Sequence, residues 1–182
     1  RFESRGLGDV YKRQAPSFIS QQKLPPDDAS HGYERGIQVD STWDEATTFA
    51  ALEASTYAGE RMDRLARTND KDEKRRQKII TFSEEFMRYA FRERLTKEEL
   101  QKYVHSKFSD STPLHTSVEK IVLTALKSPR FLYPEWQALA KKEKDSYVVA
   151  SRLALYFWDS VPDKRMHSLI DRDQLLKKLS LI

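Results

Sequence analysis

A chain of 182 residues, 33% charged and 38% hydrophobic, is long enough for one domain with a real core or for two small packed helical layers. The absence of cysteine excludes disulfides, thiolate catalysis, zinc ribbons and a Cys-x-x-Cys-His haem attachment within this stretch, and no apolar run approaches the roughly 20 residues that span a bilayer. Half of the net charge of +4 lies in residues 1–14, and elsewhere Lys and Arg alternate with Asp and Glu, so nucleic-acid binding is not expected.

Arg5 to Gln14 has neither helical nor strand periodicity and reads as a non-native tail over residues 1–14, of the kind that adapter read-through leaves on environmental assemblies. Residues 15–40 hold Pro16, Pro25, Pro26, Gly32 and Gly36 among polar residues, the composition of a linker or extended arm.

From Thr42 the pattern turns helical. Thr42 with Glu45 forms a capping box, and Ala46, Phe49, Ala50 and Leu52 begin an apolar face that Tyr57, Met62 and Leu65 extend to about Arg67. A second box, Asp70 with Glu73, predicts a helix with Ile79, Phe82, Phe86, Met87 and Ala90 facing the core. Thr96 with Glu99 caps a third helix carrying Leu100, Tyr103, Val104 and Phe108. Thr112 and Pro113 start a fourth, which buries Leu114, Val118, Ile121, Val122, Ala125 and Leu126 and stops before Pro129. Asp145 caps a fifth helix through Trp158, and Ser160 with Asp163 caps a sixth with Pro162 in its first turn. The leucine stripe Leu175, Leu176, Leu179, Leu181 and Ile182 then stops abruptly, as expected of a chain cut inside a larger protein. The expectation is all-α, an irregular bundle of about six helices, with a first helical domain over 41–127 and a second, truncated one over 128–182.

Two stretches set an arginine among apolar residues, which is costly unless the charge has a partner: Ser128-Pro129-Arg130-Phe131-Leu132-Tyr133, and Ala150 to Trp158 running on to Val161-Pro162-Asp163. With Phe91-Arg92-Glu93-Arg94-Leu95-Thr96-Lys97-Glu98-Glu99-Leu100 before them, their order and spacing resemble the paired helical domains of unknown function in large planctomycete proteins that also carry c-type cytochrome modules. The resemblance covers about residues 75–175. It departs where the family has an arginine-proline pair (here Glu93-Arg94), a basic residue (Pro134), a small residue (Asp159) and a glycine near Arg172 or Asp173.

The resemblance implies an exported, periplasmic multidomain parent with c-type haem in flanking domains. Those flanking domains are then this segment's partners, and no catalytic or cofactor residue is carried over. The motif residues Ser128, Pro129, Arg130, Phe131, Leu132, Tyr133, Ser151, Arg152, Leu153, Trp158, Pro162 and Asp163 are expected to be structural. Arg130 and Arg152 are expected to bind Glu135, Asp159 or Asp163 and helix-end carbonyls, the alternative being an anionic ligand such as a haem propionate or an acidic sugar. Truncation of Arg152 would on that reading cost about 3–5 kcal/mol. His31, His105, His115 and His167 show no metal-ligand grouping and are expected at the surface. Of Tyr156, Phe157 and Trp158, at least two are expected in the core, although such a cluster could also stack on sugar rings.

Overall fold

A computed structural model of the protein describes residues 40–134, 145–158 and 160–179, and every regular element among them is helical. The expectations for residues 1–39, the alternatives Glu135 and Asp159 for an arginine partner, and the last two apolar residues of the C-terminal stripe, Leu181 and Ile182, lie outside the described residues.

The first helix, α1 (Ser41–Glu60), begins two residues earlier than the predicted box: Asp40, not Thr42, is the cap, its carboxylate accepting the Trp43 N–H at 2.8 Å. Its buried face is also not the expected one. Ala46, Ala51, Ser55, Ala58 and Gly59 pack inward, while Phe49 and Leu52 are 41% and 45% exposed. Small residues allow α1 to lie close against α5 (Leu114–Leu126), and at Gly59 a Cβ would fall 2.6 Å from the Glu119 side chain. A short helix α2 (Met62–Leu65) follows.

Helix α3 (Arg75–Phe91) lacks the predicted box as well. Asp70 pairs with Arg75 at 3.0 Å instead, and Asp72 accepts the Lys74 N–H at 2.9 Å in the turn before the helix. Its buried face of Ile79, Ser83, Met87, Ala90 and Phe91 follows the predicted stripe, with Phe82 and Phe86 half-buried on the same core. Helix α4 (Lys97–Tyr103) has its box as predicted: Glu99 N–H to Thr96 Oγ1 is 3.2 Å and Thr96 N–H to Glu99 Oε2 is 2.9 Å. The chain then tightens into a 3-10 turn at His105–Lys107. Pro113 stands just outside α5 rather than in its first turn, and Val118, Ile121, Val122 and Ala125 are buried.

Pro129 does more than stop α5. It is the first residue of α6 (Pro129–Leu132), capped by the Ser128 hydroxyl, a helix that sequence reasoning missed. Phe131 packs on the core of Met87, Ala90, Phe91, Val104, Ile121 and Ala125, so the Ser128 segment packs against α3 and α5.

Helix α7 (Ser146–Trp158) is capped as expected, Asp145 accepting the Tyr147 N–H at 2.8 Å. In α8 (Lys164–Asp171) the cap is Asp163, which accepts the Met166 N–H at 2.8 Å, and not Ser160; Pro162 lies buried before the helix. With α9 (Leu175–Leu179) these form a second small core of Ala150, Ala154, Met166, Ile170 and Leu175.

Three helix ends share one device. Arg67, Arg92 and Asp173 have φ of 53°, 53° and 54°, the left-handed conformation in which glycine is normally favoured. After α8 the Gln174 N–H reaches Leu169 O at 2.8 Å and the Asp173 N–H reaches Ile170 O at 2.9 Å, the paired bonds of a Schellman motif. Glu93 to Arg88 at 3.4 Å with Arg92 to Tyr89 at 3.2 Å, and Thr68 to Asp63 at 2.8 Å with Arg67 to Arg64 at 3.3 Å, repeat it.

Candidate functional site

The signature arginine Arg130 lies at the meeting of α3, α4 and α6. Its guanidinium pairs with Glu93, the residue just after the αL turn of α3, and with Glu99 Oε1 at 2.8 Å, and its Cζ stands 4.5 Å from the centroid of the Phe91 ring. Glu99 therefore serves two elements, one oxygen capping α4 and the other holding α6. The Glu93 side chain is only 11% exposed, so its charge depends on that pairing.

Beside this pair lies Arg92, 6% exposed, which sequence reasoning passed over. It donates to the carbonyl oxygens of Phe131 at 3.1 Å and Arg130 at 3.4 Å, answering the end of α6, and lies 5.4 Å from the Phe131 ring. Burial pushes its pKa down to about 10. Here the αL position is occupied by a long cation because the side chain performs a task that glycine could not. The legible signal was Phe91 followed at once by a charged run, a buried anchor beside groups that need partners.

A second polar seam joins α8 to α3. Positions 164, 167 and 171 form one stripe of α8: Lys164 is 3.8 Å from Glu85, the His167 ring meets Tyr89 edge-on at 4.5 Å, and Asp171 takes Arg88 at 2.6 Å and Arg94 at 3.2 Å. Arg88, chiefly, holds the Asp171 carboxyl below its ordinary range. His167 corrects the surface expectation. It is 2% exposed, packed between Tyr89 and Tyr147, and neither ring nitrogen has a hydrogen-bond partner among the described residues. Burial, with Arg88 beside it, pushes its pKa down to about 4. His105 faces Glu84 Oε1 at 3.0 Å and His115 is exposed. Among the described residues no three His, Asp or Glu converge as a metal site.

The other motif residues divide in two. Ser128 caps α6, Pro129 begins it, Leu132 is half-buried, and the Tyr133 ring stacks on Trp43 at 5.7 Å. Ser151 is buried with no hydrogen-bond partner for its hydroxyl among the described residues, Leu153 packs on the second core, and Pro162 and Asp163 set the start of α8. Arg152 is exposed and far from the burial that its expected cost required, which corrects that expectation, and Asp163 is occupied as a cap. Tyr156, Phe157 and Trp158 overturn the core expectation more plainly, at 61%, 64% and 63% exposed. Their rings touch in series at 5.1 and 5.9 Å around the end of α7.

By fold the protein is an all-α helical bundle, and no helix among the described residues is long and apolar enough to cross a membrane. Comparison of the chain with protein-family models, with curated proteins and with solved structures found no match in any of the three.

Proposed function

We propose that the chain is a non-catalytic helical module that fixes the relative placement of neighbouring domains in a multidomain protein. The observation that supports this is the use of Arg130: the motif's most conspicuous charge is consumed by Glu93 and Glu99 in a three-helix joint, leaving no guanidinium presented to a ligand there. An exported, periplasmic parent with c-type haem in flanking domains follows from the resemblance alone. The complete reading frame tests it, with Cys-x-x-Cys-His motifs and an export leader expected. A frame carrying neither would remove the cytochrome-associated reading.

The second reading is part of an oxidoreductase or polysaccharide-processing enzyme completed by flanking domains. Its support is the exposed Tyr156, Phe157 and Trp158, which offer ring faces to a sugar. Oligosaccharide titration followed by Trp158 fluorescence separates the two: no saturable change is expected for the structural module, and saturable quenching lost in Trp158→Ser would favour the enzyme.

A further inference from the structure

A groove of about 440 Å³ runs between the end of α2, the first three turns of α3 and the start of α8. Its apolar floor is Leu65, Ala66 and Phe82, with Leu65 37% exposed. Around the floor stand Arg67, Lys74, Lys78 and Lys164, four cations against the one carboxylate of Glu85. Lys78 is committed to Asp72 at 2.6 Å and Lys164 approaches Glu85 at 3.8 Å, whereas the side-chain charges of Arg67 and Lys74 form no ion pair with a carboxylate among the described residues.

We propose that this groove docks an acidic peptide segment carrying an aliphatic or aromatic anchor. Three features of the groove converge on that chemistry. The unanswered cations at the rim call for carboxylates. The exposed Leu65 and half-buried Phe82 call for an apolar side chain between those carboxylates, which a nucleic acid or an acidic sugar does not supply. Arg67 stands at φ 53° in a Schellman turn, where glycine would relieve the backbone, so a cation is kept at the rim against a conformational cost. The proposal rests on the reading of the chain as a non-catalytic module that positions neighbouring domains, and names the chemistry of one such partner.

The test is fluorescence anisotropy of a labelled peptide, Asp-Glu-Leu-Asp-Glu-Phe-Asp-Glu, titrated with the whole chain. Saturable binding that weakens with added salt is expected. The Arg67→Gly/Lys74→Glu variant should bind about tenfold more weakly, although Arg67→Gly on its own should raise the melting temperature because it relieves the αL turn. A peptide with Ser in place of Leu and Phe should lose a similar factor. Reversal of two cations elsewhere, Lys102→Glu/Lys120→Glu, should change binding by less than about twofold. Absence of saturable binding, equal loss in that control pair, equal binding of the Ser peptide, or equally tight binding of oligothymidylate would each overturn the proposal. None of those results touches the Arg130 joint, whose own test is conformational stability, so failure of the groove and failure of the module reading are distinguishable.

Discussion

Acidification should loosen the α3–α8 seam well before the carboxylates titrate. His167 has an ordinary value of 6.5 and about 4 in the fold, because its buried ring sits between Tyr89 and Tyr147 beside Arg88, with Asp163 and Asp171 opposing only in part. A base depressed in the native state is protonated first in the unfolded chain. Above about pH 7 both states hold it neutral and stability is unaffected; between 6.5 and 4 the unfolded state gains the proton and stability falls with pH; below 4 the loss is complete. Depression from 6.5 to about 4 corresponds to about 3 kcal/mol in full, most of it lost by pH 4.5. The Asp171 carboxyl, itself held low by Arg88, contributes in the same sense only at still lower pH, below its ordinary 3.8. Urea unfolding of the parent and of His167→Phe at intervals from pH 7.5 to 4.5 measures the effect. The variant keeps an aromatic ring between the tyrosines and has no proton to bind, so its curve should lack this slope. A parent whose stability is flat over that range, or a His167→Phe variant with the same slope, would refute the reasoning.

Asp173→Gly should stabilise by about 0.5–1 kcal/mol, since it relieves the αL residue of the Schellman turn and gives up only a solvent-exposed ion pair with Lys177, a gain read as a raised melting temperature. Arg152→Ala and Trp158→Ser should each move stability by less than about 1 kcal/mol, because both side chains are exposed; a loss of 3 kcal/mol or more in denaturant titration would contradict their placement. Thr96→Ala should cost about 1 kcal/mol through its cap, and Glu99→Ala clearly more, because that carboxylate also holds Arg130.

The helical class was legible because α3 and α5 carry unambiguous 3.6-residue stripes, and the caps Thr96 and Asp145 were legible because a cap is a local contest among neighbouring residues. Other local signals misled where tertiary contacts outbid them. Asp70 left its predicted box for Arg75, and Phe49 yielded the buried face of α1 to alanines and Gly59, because close approach to α5 favours small side chains. The apolar setting of Arg130 shows in the sequence that it needs carboxylates, but its partners lie on α4 and at the end of α3, distant in sequence from the acidic residues that follow it. His167 was read as a surface residue because nothing local to α8 reveals Tyr89 and Tyr147 closing over it. The aromatic run at the end of α7 misled in the opposite sense, since residues covering most of a helix circumference are buried only when neighbours surround the helix.

Arg130 is a structural charge answered chiefly by the buried Glu93. A double-mutant cycle of Arg130→Met and Glu93→Gln, followed by urea unfolding at neutral pH, measures that pairing directly. Arg130→Met strands the buried Glu93 and should cost about 3 kcal/mol, Glu93→Gln leaves Arg130 its pairing with Glu99 and should cost less, and the double variant should recover a coupling energy of about 2 kcal/mol. Additive losses, with a coupling below about 0.5 kcal/mol, would contradict the joint and return Arg130 to the role of a ligand-binding residue.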